Sequence, residues 1–162
     1  MSNDVLCLEH FLPYRLNRLA DAISREFSKI YKDRYGLSRP EWRTLATLGQ
    51  FGTTTATAIG AHSAMHKTKV SRAVFELEKR KWLVRQADGQ DRRVEHLQLT
   101  AAGIRAYRDL VPLAKEFEAR FLKALSVREK DAVLSALTCL ERAAGAQTGY
   151  APAGEAVAVR NS

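Results

Sequence analysis

The chain has 162 residues, 46% of them hydrophobic, which suits one packed domain or one domain with a helical extension and excludes wholesale disorder. Lys and Arg number 26 against 18 Asp and Glu, and the formal net charge of +8 favours polyanionic partners, nucleic acid before an anionic membrane surface. No apolar run approaches the roughly 20 residues that span a bilayer, MSNDVLCLEH lacks the pattern of a secretion signal, and Cys7 and Cys139 form neither a disulfide framework nor a metal spacing; the expected setting is a reduced cytoplasm, with no membrane partner and no cofactor.

The charge is unevenly placed. Residues 66–93 carry a net of +5, against +2 for residues 1–65 and +1 for residues 94–162. Most of the excess therefore falls on 28 residues.

Taken in order, Leu12, Leu16, Leu19, Ile23, Phe27 and Ile30 recur in steps of three and four, which predicts a long amphipathic helix over 12–34. Pro13 suits its first turn and Gly36 its end. Ser38 and Glu41 form a capping box around Pro40, opening a short helix with Trp42, Leu45 and Leu48 inward and Gly49 and Gly52 as its close. The run Thr53, Thr54, Thr55 can cap a brief third helix anchored by Ala58 and Ile59 and ending near His62 and Ser63. A fourth helix over 66–80 buries Val70, Ala73, Val74 and Leu77.

The period then changes. Leu83 and Val84 begin an extended run, residues 87–91 read as a turn with Asp88-Gly89 at its centre, and Glu95, Leu97 and Leu99 alternate with His96 and Gln98, which together predict a β-hairpin. Thr100 can cap a helix carrying Leu110, Ala114, Phe117 and Phe121, with Pro112 as a bend. Ser126 and Glu129 form a second capping box, opening a last helix through Val133, Leu137 and Leu140. Residues 146–162 read as a disordered tail.

The fold class is therefore mostly α with a small β-hairpin, in a helix-turn-helix order. On the fourth helix Thr68, Arg72, Phe75 and Lys79 point away from the buried stripe, flanked by Lys69 and Ser71. Such a face suits a major groove, because Arg can bond guanine bidentately while Ser and Thr serve bases or phosphates, and the N-terminal residues of this helix reach the base edges. Lys67, Thr68, Lys69, Ser71 and Arg72 are the candidate DNA contacts, with Arg72 the base reader. At the hairpin tip Arg92 and Arg93 can reach phosphates or a narrow minor groove, and Asp91 can orient a neighbouring arginine; a plain solvated turn is the alternative for these three.

Lys69-Val70-Ser71-Arg72-Ala73-Val74-Phe75-Glu76-Leu77-Glu78-Lys79-Arg80 resembles the recognition helix of MarR-family transcriptional regulators. Arg85, Asp91-Arg92-Arg93 and Leu97-Gln98-Leu99-Thr100-Ala101-Ala102-Gly103 look like the family's wing and the start of its next helix. The resemblance covers about residues 10–143. It departs at Lys81, where the family usually has glycine and where a left-handed backbone would penalise lysine. It implies a winged helix-turn-helix over residues 1–145, with a DNA-binding lobe at about 38–100. Dimerisation helices at about 10–35 and 101–145 would intertwine with those of a second copy on a palindromic site. It also implies a repressor released by a small ligand. The segments 11–16 and 36–43 look like members that control aromatic-acid catabolism, which makes a hydroxycinnamate or its coenzyme A thioester a candidate effector. Arg15 would then pair with a carboxylate, with Tyr14 and Trp42 as aromatic walls; core or interface packing is the alternative for both rings, and an intersubunit ion pair for Arg15.

Other readings carry less. His62 and His66 are four apart but straddle a turn, with no acidic third ligand nearby. Cys7 is a candidate redox sensor, while Cys139 falls beside an apolar stripe and reads as packing. A winged protein-interaction module that does not bind DNA would not need so basic a fourth helix. An enzyme is not expected, since no nucleophile elbow, phosphate-binding glycine loop, paired-cysteine motif or HExxH occurs.

Overall fold

In the computed structural model, residues 5–89 and 94–145 are described, so Asp91, Arg92, Arg93 and the predicted tail lie outside the described residues. The chain divides into two compact units, one ending at Phe121 and one beginning at Leu122.

The first unit opens with α1, Leu12–Tyr35, with proline in its first turn. It stops at Gly36, whose left-handed φ of 64° lets its N–H donate to the Lys32 carbonyl at 2.7 Å. Helix α2, Arg39–Phe51, begins at the expected capping box: the Ser38 hydroxyl accepts from the Glu41 N–H at 3.4 Å and the Glu41 carboxylate accepts from the Ser38 N–H at 3.2 Å. Leu45 and Leu48 face inward, and each buried leucine contributes about 1.5–3 kcal/mol relative to exposure.

Gly49 does not close α2. It lies inside the helix, where a Cβ would stand 2.5 Å from the Tyr107 ring, so its role is close packing. The helix ends at Gly52, which has a φ of 75°.

The threonine run does two things. Thr55 caps α3, Ala56–Ser63, its hydroxyl accepting from the Ala58 N–H at 3.2 Å. Thr54 and Thr55 also form a short strand, β1, that pairs antiparallel with residues 96 and 97. The predicted hairpin, β2 (Leu83–Ala87) and β3 (Glu95–Leu99), is therefore part of a three-stranded sheet in the order β1-β3-β2, with Leu83 opposite Leu99 and Arg85 opposite Leu97. Within α3, Ile59 is the buried anchor whereas Ala58 is exposed, because the helix is too short to bury more than one face.

Helix α4, Lys67–Lys79, buries Val70, Ala73, Val74 and Leu77 against α2 and α3, as its periodicity requires. Lys81 follows in the left-handed region at φ 61°. Helix α5, Ala101–Leu122, starts where the Thr100 hydroxyl accepts from the Gly103 N–H at 3.2 Å. A Cβ on Gly103 would strike the Trp82 carbonyl oxygen, so this glycine sets how closely the start of α5 approaches the sheet. Arg34 and Tyr35 of α1 both bond Asp109 of α5, at 2.8 and 3.0 Å, and hold its carboxyl below the usual carboxylate range.

In the second unit the Ser126–Glu129 capping box opens α6, Val127–Ala143. The Ser126 hydroxyl and backbone N–H hold the Glu129 carboxyl low. No residue of α6 is buried, and Val133, Leu134 and Leu137 are all exposed. Cys139, beside that stripe, is exposed as well.

Candidate nucleic-acid interface

Helix α4 begins at His66, whose Nδ1 accepts from the Thr68 N–H at 3.4 Å. An imidazole replaces the usual Ser, Thr, Asp or Asn at this cap. From there Lys67, Thr68, Lys69, Ser71 and Arg72 are all exposed. The four inward residues consume the apolar face, so the polar residues are left together on the other. Among the described residues no carboxylate pairs with Lys67, Lys69, Arg72 or Lys79. Their charges are available to a partner in solution.

Two other arginines hold the helix in place, and neither role was visible in the sequence. Arg80, just past α4, donates to the carbonyls of Tyr35 and Gly36 at 2.8 and 3.2 Å, closing the end of α1. Its guanidinium also lies 5.5 Å from the Trp82 ring centre. Arg85 on β2 bonds Glu78 of α4 at 2.9 Å and Glu95 of β3 at 3.0 Å. Burial opposes its charge, but the two carboxylates outweigh burial and raise its pKa. It thus braces the wing against α4.

The turn before α4 is fixed from α2. Arg43 donates to the Ser63 carbonyl at 3.2 Å, and the Thr47 hydroxyl donates to the Arg43 carbonyl at 2.8 Å and lies 3.3 Å from the Ser63 hydroxyl. At the hairpin the Asp88 N–H donates to the Val94 carbonyl, and the Asp88 carboxylate meets His96 Nε2 at 2.9 Å. These contacts join the chain just after β2 to the start of β3. A depression of about 740 Å³ runs beside α4, lined by Ser38, Lys69, Arg72, Phe75, Glu76 and Arg85 among others.

The candidate ligand residues fall in two places. Tyr14 and Arg15 line a shallow depression of about 340 Å³ with Glu9, Arg18 and Leu19, and the Arg18 guanidinium lies 5.8 Å from the Tyr14 ring centre. Trp42 is not part of that depression. It stacks on Tyr31 at 5.7 Å and meets Phe27 edge-on at 5.3 Å, in an aromatic cluster that Phe117 extends. Tyr31 is buried there, and burial raises its pKa against the pull of Arg39 and Arg43. Cys7 is exposed, its thiol 3.5 Å from the Glu9 carboxylate.

A three-stranded sheet behind a helix-turn-helix, with the second helix turning an unpaired cationic face outward, defines a winged helix-turn-helix. The MarR family model matches residues 35–94, the stretch from the end of α1 to the start of β3. The transcriptional repressor MprA of Escherichia coli K12 is 40% identical over 65 residues, which are 40% of this chain and 37% of the relative. The chain therefore spans little more than a third of that protein's length in alignment. Solved structures match over more of the fold. The MarR-family regulator SPO1453 from Silicibacter pomeroyi is 28% identical with a TM-score of 0.69, covering 84% of this chain and 99% of the other. MepR of S. aureus, solved as a DNA complex, has a TM-score of 0.72 at 22% identity and covers 83% and 99%. Among the described residues no helix is long and apolar enough to cross a membrane.

Proposed function

We propose that the chain is a sequence-specific, DNA-binding transcriptional regulator of the MarR family that acts as a homodimer on a palindromic duplex site. The observation that carries this reading is the outward face of α4, where Lys67, Lys69 and Arg72 stand exposed, without a carboxylate partner among the described residues, beside Thr68 and Ser71. Phosphates would neutralise the lysines, and Arg72 would read a base edge. The tip arginines Arg92 and Arg93 would add backbone or minor-groove contacts, with Asp91 orienting one of them. The fold shared with MepR, which has been solved on DNA, supports the assignment. The repressor role follows the one named for MprA.

Dimerisation rests on apolar surface. The exposed Val133, Leu134 and Leu137 of α6, and Phe11, Leu12 and Leu19 near the start of α1, suit burial against a second copy. Release by a small aromatic acid or its thioester would use Arg15 against a carboxylate, with Tyr14 as one wall and Trp42 as a second wall if the dimer brings them together. Nothing in the surroundings of Cys7 favours redox control over this ligand reading.

Binding to duplex DNA should weaken steeply with salt, and each phosphate contact removed should lower the slope of log affinity against log salt by about 0.9. Lys67→Ala and Lys69→Ala should each flatten the slope, measured by fluorescence anisotropy across a salt series. An unchanged slope in both would place the interface elsewhere.

A further inference from the structure

Phe75 is 60% exposed on α4, midway along a face otherwise composed of Thr68, Ser71, Arg72 and Lys79. With about 3.6 residues per turn, Phe75 lies one turn beyond Arg72, on the side opposite the buried Val70, Ala73, Val74 and Leu77. Among the described residues no aromatic ring packs on it, whereas Phe27, Phe117 and Phe121 each meet another ring. A large apolar side chain held in water forgoes about 1.5–3 kcal/mol that burial would provide. The neighbouring core offers no room for it, since that side of the helix is already filled. Any group that covers it must therefore come from outside.

The flanking charges narrow the choice. Lys67, Lys69, Arg72 and Lys79 lie on the same helix without a carboxylate partner among the described residues, and the nearby Glu78 is already engaged by Arg85. A surface that satisfies both Phe75 and these cations must be strongly anionic and carry an apolar group between its charges. The major groove of duplex DNA has this character: phosphates line its edges, and its floor offers the 5-methyl group of thymine, which phenylalanine contacts favourably. An apolar protein surface would cover Phe75 but would leave the four cations unanswered.

We infer that Phe75 is a specificity-determining residue that reads a thymine methyl in each half-site, adjacent to the base that Arg72 contacts. This inference rests on the DNA-binding reading above. It adds a requirement that charge alone would not impose: one thymine at a fixed offset from the Arg72 position.

The test uses the full chain and a site selected from a random duplex pool. Each thymine of a half-site is replaced in turn by deoxyuridine, which removes the methyl group and leaves the pairing edge intact. For the unaltered protein, one position per half-site should weaken binding by about fourfold, the value of one buried methyl, with the salt slope unchanged. In Phe75→Ala that same position should become indifferent to deoxyuridine, while Phe75→Leu should keep part of the discrimination. Because Phe75 is exposed, neither variant should alter the thermal unfolding midpoint. A selected site that binds with a steep salt slope, but has no thymine whose methyl matters or has the same methyl penalty in Phe75→Ala, overturns the inference and leaves the DNA-binding reading standing. Failure to select any site, or capture of a protein partner with little salt dependence in place of DNA, overturns both.

Discussion

Gly103 is the third residue of α5, and replacing it by alanine pits two well-understood effects against each other. Helix propensity favours alanine over glycine by about 1 kcal/mol at an interior helical position. The added Cβ, however, would collide with the Trp82 carbonyl oxygen and lie 3.0 Å from its carbon and 3.3 Å from Leu99 Cδ2. The oxygen belongs to the backbone, so relief requires movement of the chain between α4 and β2. That oxygen also accepts from the Thr100 N–H at 2.9 Å, a bond that the movement would stretch. Overpacking of this kind costs about 1–3 kcal/mol, and the weakened hydrogen bond adds about 1 kcal/mol. The steric terms win, and Gly103→Ala should be destabilised by about 1–3 kcal/mol. Urea denaturation at fixed protein concentration should show a midpoint lowered by about 0.5–1.5 M with an unchanged m value. A variant as stable as the parent, or more stable, would refute the close approach of α5 to the sheet.

Two further outcomes follow from the same geometry. Lys81 sits at φ 61°, where a side chain is penalised, while its N–H still donates to Glu78 and its carbonyl still accepts from Thr100; Lys81→Gly should therefore raise stability by about 0.5–1 kcal/mol in urea denaturation, and a loss of stability would show that the lysine side chain matters more than the backbone strain. Asp109 has its pKa lowered by Arg34 and Tyr35, so its stabilising effect is present above the ordinary carboxylate range and is lost as pH falls through its depressed value. Thermal unfolding followed from pH 7 downward should show a shallower loss of stability in Asp109→Asn than in the parent, and parallel curves would remove Asp109 from the acid transition.

The parts of the fold legible in the sequence are those set by neighbours in the chain. The buried stripe of α4 follows from spacing alone, and both capping boxes from residues three apart. The strained backbone at Lys81 was foreseeable because lysine stands where the resembling family has glycine. What escaped depended on distant partners. Gly49 reads as a helix terminator until Tyr107 is seen against it, and two threonines are too short a strand to recognise without the partner residues 96 and 97. The same holds for the site. The exposed cations of α4 were legible as a polar face, but Arg80 and Arg85 resemble any other basic residues until their partners on α1, α4 and β3 are known. Tyr14 and Arg15 do line one depression, whereas Trp42 belongs to a separate cluster because its ring finds Tyr31 and Phe27.

The central claim, that the outward face of α4 reads an operator, is tested most directly by selecting binding sites from a random duplex pool with the parent protein and with Arg72→Ala in parallel. The parent should enrich an inverted repeat with half-sites about one helical turn apart, and Arg72→Ala should lose preference at one position in each half-site. A parent protein that enriches no repeat, or an Arg72→Ala variant that enriches the same repeat with every position intact, would contradict it.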